Sequence, residues 1–301
     1  MRVADEVSAA LAAGTAVVAL ESTLLAHGLP PGRNRSVADA VEDAVREAGA
    51  VPATIAVLDG GLRVGLDAAD LDRVCSADLA KLSARDLGPA IALGCDGATT
   101  IASTALIAHA AGIGVFGTGG LGGVHLPQPG EASSWDVSAD LDVLGSTPVA
   151  VVCSGVKSVL DIAATIEVLE TRSVPVLGYR TDSFPAFYRR ESPFGVPWRV
   201  DTPASAAAVI AEHRRGPARS GVLVANPVPA EHELDADLHD RLLSEGMARV
   251  ARADVRGGDV TPVLLEHFHT ASGGASLDTN EALVLANVTL AAQIAVALTT
   301  P

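Results

Sequence analysis

Short blocks of apolar, often β-branched residues alternate along this chain with longer stretches of helical spacing. Strands are predicted at residues 15–20, 54–58, 62–65, 90–93, 113–116, 149–152, 174–178 and 221–225. Helices are predicted at 4–13, 36–48 and 67–74, up to residue 111, after Lys157 to about 171, and at 203–214. The remainder reads as helices over about 230–253, 260–271 and 278–299. Gly14 and Gly49 stand where the first two helices should stop, and Ser36 stands as an N-cap. Asp59-Gly60-Gly61 between two short strands is a hairpin signal. Strands alternating with helices indicate an α/β protein. The chain shows no repeat, low-complexity segment or clear linker, so one domain is expected over 1–301.

Composition narrows the class. The chain has 301 residues, 49% of them hydrophobic and only 3% aromatic. Ala, Val, Leu and Gly must therefore fill the interior, which suits a sheet covered by closely packed helices. The formal net charge of −15 argues against a nucleic-acid partner, because phosphate-backbone binding needs basic patches. An anionic ligand would need a local positive pocket. The three cysteines, Cys75, Cys95 and Cys153, match no zinc spacing and form an odd set for a disulfide framework. Buried thiols in a reducing compartment are expected. Asp5 and Glu6 stand where a signal peptide would be basic, and no apolar run is read as long enough to span a bilayer. A cytosolic protein with no membrane partner is the expectation.

Candidate chemistry gathers after the strands, at whose carboxyl ends open α/β sheets place their sites. Glu21 directly follows the first long strand, although a helix cap or a salt bridge would also account for it. The loop from His27 to Ser36 is rich in turn formers. Residues 94–104 are small and hydroxyl-rich and lead into a helix, which suits an anion site or an ordinary N-cap by Asp96 or Thr99. Two Gly-Gly pairs in TGGLGGVH let backbone approach a ligand or another segment, and the run is neither a GxGxxG nor a Walker loop. An acidic cluster, Asp136, Asp140 and Asp142, precedes the strand that ends in Cys153-Ser154-Gly155, with Lys157 two residues beyond. Residues 179–197 hold Phe184, Phe187, Tyr188 and Phe194, and read as a lid, a subunit contact or a plain packed loop.

Lys157 and Lys81 are the only two lysines, and arginine fills the other basic positions. That exchange costs little on a solvated surface. It fails where an amine must lose a proton and attack a carbonyl carbon, because a guanidinium stays protonated. Chance survival on the surface is the other account of each lysine. Carboxylate, amine and a cation-suited Asp cluster together suggest a lyase- or aldolase-like site.

The blocks ALESTLLAHGLP, GAVPATIAVLDG, KLSARDL, GATTIAST, GTGGLGGVH, WDVSADL, CSGVKSVLD, ESPFGVPWR and VANPVP are similar, in order, to those of the pseudouridine-5′-phosphate glycosidase family, also called indigoidine synthase A-like. The similarity runs from about Val18 to the last helix. It implies a single-domain α/β/α sandwich around a mixed β-sheet, and commonly a homotrimer. It also implies cleavage of the C–C bond between ribose C1′ and uracil C5 of pseudouridine 5′-phosphate, giving uracil and ribose 5-phosphate with a divalent metal, typically Mn2+. The resemblance places the nucleophile at Lys157 and the proton-transferring carboxylate at Glu21. It places the metal carboxylate at Asp136, and the substrate site at Lys81 for the phosphate, Ile101 through its backbone, His125, Ser138, Ala139, Asp140 and Asn280. Between His125 and Asp136 the stretch LPQPGEASSW is longer and more proline-rich than the family's usual link. A class I aldolase-type lyase on another sugar phosphate, and a non-catalytic sugar-phosphate sensor, are the alternatives.

Overall fold

A mixed, mostly parallel sheet lies at the centre of the molecule. The structure, a computed structural model, describes residues 1–127, 134–157, 160–253, 255 and 260–299. Among the described residues the strands are β1 (Arg2–Val3), β2 (Val17–Glu21), β3 (Val51–Leu58), β4 (Gly61–Val64), β5 (Ala80–Leu82), β6 (Gly97–Thr99) and β7 (Val115–Gly117). There follow β8 (Val124–His125), β9 (Ala150–Cys153), β10 (Leu160–Asp161), β11 (Val176–Tyr179), β12 (Trp198–Val200) and β13 (Val222–Ala225). The sheet runs β1-β4-β3-β2-β7-β9-β13-β11-β12, with β6 on β3 and β5 on β6. From β3 across to β12 neighbours are parallel, whereas β4 and β6 run antiparallel to β3. The register sets Leu20 beside Gly117, Gly117 beside Val152 and Cys153 beside Ala225, so β2, β7, β9 and β13 end on one edge.

Strand alternation divides the core into two layers. Val17, Ala19, Val151, Cys153 and Leu223 pack with Ala102, Ala105, Leu141 and Leu169. The intervening Val18, Leu20, Ala150, Val152, Val222 and Val224 pack with Val37, Val41, Ala206, Leu283 and Val288. Opposite faces of the sheet thus meet different helices, because successive side chains point to opposite sides. Both faces being covered explains why the central strands are continuously apolar. The α/β/α sandwich around a mixed sheet expected from the sequence is the observed architecture.

The hairpin forms as predicted: β3 and β4 pair antiparallel, and Asp59 and Gly60 both take positive φ (54° and 65°), the backbone of a two-residue primed turn. Asp67 caps the helix Ala68–Ser76 by accepting from the Asp70 N–H at 2.9 Å.

Several expectations are corrected. Residues 90–93 are not a strand; they close the helix Leu87–Ala92, because a four-residue apolar run has too few positions to separate the two periods. Lys81 lies instead on β5, paired with Ala98 of β6. The helix expected from Ser36 begins at Arg33, and the Ser36 hydroxyl donates to the Arg33 carbonyl at 2.8 Å rather than capping. Neither Asp96 nor Thr99 caps the helix Ile101–Ala110: Asp96 accepts from the Asp59 N–H at 2.7 Å, and Thr99 ends β6. After Lys157, β10 intervenes before the helix Ile162–Thr171, which Asp161 caps. Of the three cysteines only Cys153 is buried; Cys95 is exposed. The last helix, Ala275–Thr299, is by length and composition able to cross a membrane, contrary to the sequence reading. Here it packs against the sheet with Asn280 and Asn287 buried among its apolar side chains.

Candidate active site

Glu21 is the last residue of β2, so the buried strand carries its carboxylate to the sheet's carboxyl edge. Two hydroxyls hold it. Thr23 donates to Oε2 and Thr118, just past the end of β7, donates to Oε1. Both carboxylate oxygens are therefore oriented by groups on different elements, which restricts the rotamer.

Lys157 is reached by a sharp turn after β9. Gly155 holds φ +74°, and a Cβ there would overlap the Pro185 carbonyl oxygen, so a side chain at this position is excluded on two counts. The Leu121 N–H donates to the Gly155 carbonyl at 2.9 Å, and the Lys157 N–H donates to the Leu121 carbonyl at 3.2 Å. The first Gly-Gly pair of TGGLGGVH runs alongside. A Cβ on Gly120 would overlap the Phe187 ring and touch Lys157 Cγ, so the bare glycine leaves room for both side chains. Phe187 itself has φ +60°, a left-handed conformation costing about 1–2 kcal/mol for a bulky residue, and its N–H donates to the Ser154 carbonyl at 2.9 Å. Within residues 179–197, Phe184, Phe187 and Tyr188 are buried, whereas Phe194 is exposed.

Glu21, Lys81, Lys157 and Asn280 line one cleft, with Phe187 and His27 in its walls. It is small, about 60 Å³, and opens to solvent. Asn280 is buried in the last helix, and its Oδ1 has no hydrogen-bond partner in the structure. A buried, unsatisfied amide oxygen in a cleft wall is a group placed for a ligand donor.

The remaining sequence-predicted residues form an adjoining group. The His125 N–H donates to the Asp136 carbonyl at 2.9 Å, and His125 Nδ1 lies 3.8 Å from Asp136 Oδ2. His125 is held below its ordinary pKa, chiefly by burial; Asp136 opposes the shift, while Lys157 and Lys81 add to it. The charge of both lysines reaches His125, but neither His125 nor Asp136 lines the cleft that holds them. Ser138 caps the helix Ala139–Leu144 by accepting from the Asp140 N–H at 3.2 Å. Asp140 is buried, and its carboxylate accepts from the Ala102 N–H at 2.9 Å and the Gly122 N–H at 3.0 Å. It ties the start of the helix Ile101–Ala110, where Ile101 is also buried, to the glycine loop. Asp142 pairs with Arg172 at 2.9 Å. Among the described residues no three His, Cys, Asp or Glu side chains gather into a metal cluster. Asp136 keeps a carboxylate about two-fifths exposed (39%), with room for water and for a ligand oxygen. Most of the long link before it, residues 128–133, lies outside the described residues.

Sequence reasoning missed the group that registers the strand ends. Asn287, fully buried in the last helix, donates to the Thr118 carbonyl at 2.8 Å and the Gly119 carbonyl at 3.1 Å, and meets Ser154 Oγ at 3.0 Å. Its Oδ1 accepts from Asn226 Nδ2 at 3.0 Å. One amide therefore joins the ends of β7, β9 and β13, and Thr118 carries the connection on to Glu21. The available signal was an asparagine inside an otherwise apolar helix, which must find partners if buried. Asn287→Leu keeps the number and branching of side-chain heavy atoms and leaves these groups unpaired. A loss of about 3 kcal/mol in unfolding free energy is expected, read as a lower urea midpoint at unchanged slope. An unchanged midpoint would show that the strand ends do not depend on this amide.

Fold and cleft together define a class: an α/β protein with an oriented carboxylate and two lysines in one cleft at the carboxyl edge of its sheet. The chain matches the family model described as indigoidine synthase A like protein over residues 6–297. It is 54% identical over 294 residues to a protein of Salinispora tropica named pseudouridine-5′-phosphate glycosidase, covering 97% of this chain and 90% of that protein. A Symbiobacterium thermophilum protein of the same name is 53% identical over 295 residues, with 97% and 96% covered. Among solved structures, the prealnumycin C-glycosynthase AlnA in complex with ribulose 5-phosphate superposes with a TM-score of 0.90 at 39% identity, covering 99% of this chain and 96% of that one. An indigoidine synthase A-like protein of Thermotoga maritima superposes with a TM-score of 0.88 at 35% identity, with 95% and 94% covered. The chain belongs to the indigoidine synthase A-like family.

Proposed function

We propose that this chain is a pseudouridine-5′-phosphate glycosidase, splitting the C1′–C5 bond of pseudouridine 5′-phosphate to give uracil and ribose 5-phosphate. The observation that carries the reading is the meeting of Glu21, Lys157 and Lys81 in one cleft, in a chain about half identical to relatives of that name.

A C-glycosidic bond has no leaving oxygen or nitrogen to protonate, so the two-carboxylate route of ordinary glycosidases does not apply. Glu21 protonates the ring oxygen as the C1′–O4′ bond breaks with its pair going to that oxygen, the uracil ring electrons offset the deficit at C1′, and neutral Lys157 Nζ adds at C1′ and gives up a proton to the Glu21 carboxylate. Uracil C5 then takes a proton. That proton draws on the C5–C6 π pair; the C1′–C5 bond then breaks with its electron pair restoring the C5=C6 double bond, and the nitrogen lone pair forms the iminium at C1′. Water hydrolyses the iminium, releasing ribose 5-phosphate and restoring the lysine. Glu21, fixed by Thr23 and Thr118, handles the protons, and Lys81 meets the phosphate. His125, Asn280, the Ile101 backbone and the Ser138-Ala139-Asp140 step complete the substrate site in this reading.

A divalent cation, manganese by expectation, fits Asp136 if water and a substrate oxygen complete its shell, as hard cations bound through one carboxylate commonly allow. When bound it would offset negative charge on the substrate. Exhaustive chelation is expected to suppress turnover, with activity returning on addition of manganese. Full turnover in protein shown metal-free by elemental analysis would remove the cation from the reading. A cytosolic location and assembly as three copies belong to the same proposal, and light scattering measures the latter.

The test is incubation with pseudouridine 5′-phosphate and manganese, followed by assay for uracil. Uracil release separates this enzyme from an aldolase-type lyase on another sugar phosphate. Borohydride trapping of a sugar phosphate on the protein separates both enzymes from a non-catalytic sensor.

A further inference from the structure

His27 ends the short helix Thr23–His27, which starts two residues after Glu21. Its ring forms part of the cleft wall that also carries Glu21, Lys81, Lys157 and Asn280. Nε2 is shielded from solvent and has no hydrogen-bond partner. The Leu79 carbonyl lies near the other ring nitrogen and favours a proton there. Burial, and then the neighbouring Lys81 ammonium, hold the pKa of His27 below its ordinary value; Asp78 and the Leu79 carbonyl oppose this more weakly. The ring is therefore neutral near pH 7. With its one proton on the other nitrogen, Nε2 presents a lone pair. A buried acceptor left unpaired costs about 1–3 kcal/mol, so the vacancy needs a donor from what enters the cleft.

Resting on the proposed glycosidase reading, we propose that His27 is a further substrate contact, its Nε2 accepting a hydrogen bond from a hydroxyl or imide N–H of the bound substrate. A phosphate dianion has no donor to offer this nitrogen, so the contact is to the sugar or the base. His27 and Asn280 then face the substrate with two acceptors, Nε2 and Oδ1, while Lys81 serves the anion. The loop that His27 opens carried no chemistry in the sequence reading beyond its turn formers.

His27→Phe keeps a planar aromatic ring, somewhat larger, and removes the acceptor, and His27→Gln returns an amide oxygen of similar reach. Both are assayed in cleavage, and in the reverse direction with uracil and ribose 5-phosphate varied separately. The expected result for His27→Phe is a rise of about tenfold in KM for pseudouridine 5′-phosphate with kcat within about threefold, partly recovered by His27→Gln. In reverse, a raised KM for ribose 5-phosphate alone assigns the contact to a sugar hydroxyl, and for uracil alone to the imide. KM unchanged in both directions overturns the proposal, as does an equal loss in both variants that tracks a lower unfolding midpoint. If His27→Phe does not fold, the imidazole nitrogen NMR signal of the wild-type protein is followed on saturation with ribose 5-phosphate and with uracil. A shift with either supports the contact, and no shift with both overturns it. Uracil release by the wild-type protein, measured alongside, separates failure of this contact from failure of the glycosidase reading.

Discussion

Lys157→Arg lowers turnover of pseudouridine 5′-phosphate by roughly four orders of magnitude or more while the chain stays folded. Arginine keeps the charge and most of the stem length, so the packing of that stem beside Gly120 and Phe187 is largely retained. What it cannot do is give up a proton and add to C1′, because the guanidinium holds its proton throughout the accessible pH range. The residual rate then reports what Glu21 and binding alone achieve. Reduction with borohydride in the presence of ribose 5-phosphate, followed by peptide mass mapping, places an adduct on the peptide containing Lys157 in the wild type and none in the variant. Substantial turnover by Lys157→Arg with no adduct on any peptide would remove the imine mechanism.

Glu21→Gln lowers turnover by about a hundred- to ten-thousandfold, the usual span for a lost general acid–base. The amide is isosteric: one of Thr23 and Thr118 still donates to an oxygen, the other can accept from the new N–H, and the end of β2 stays in place. Uracil release should collapse while borohydride still traps ribose 5-phosphate slowly on Lys157, because the open-chain aldehyde needs no ring opening by the enzyme. A variant that loses trapping and turnover in equal measure would indicate that Glu21 acts by placing Lys157 rather than by moving protons. KM for ribose 5-phosphate in the trapping reaction decides between these.

Lysine scarcity was an unusual aid to reading this chain. Replacement by arginine nearly everywhere left Lys81 and Lys157, and the structure places both in the wall of one cleft. Glu21 was legible for a different reason: a carboxylate directly after a buried strand has to emerge at a sheet edge. The resemblance added Asn280, which lines the same cleft and has a buried, unpaired Oδ1. His27, Thr118 and Asn287 were not singled out, although each lies in a segment that was read. Nothing in HGLPPGRNRS says that the histidine turns inward beside Lys81, and a threonine before a glycine pair is as common in turns as in sites.

By itself the sequence determined the two periods, the order of the main strands and helices, and the residue types a lysine-based lyase would need. These are local properties: hydrophobic spacing, turn formers such as Asp59-Gly60, and the chemistry that arginine cannot replace. Its failures were local too, as at residues 90–93, where four apolar positions fit a helix as well as a strand. Only the tertiary structure decided which strand ends meet. That depends on lateral register, set by pairings such as Leu20 with Gly117 and Cys153 with Ala225, between residues distant in the chain. It also decided the fate of the acidic cluster. Asp140 pins the glycine loop to a helix start, Asp142 pairs with Arg172, and Asp136 keeps its carboxylate open beside His125. Three aspartates of one type, spaced within seven residues, acquire different roles because a carboxylate's role is set by the donors that reach it, and those donors come from elsewhere in the fold.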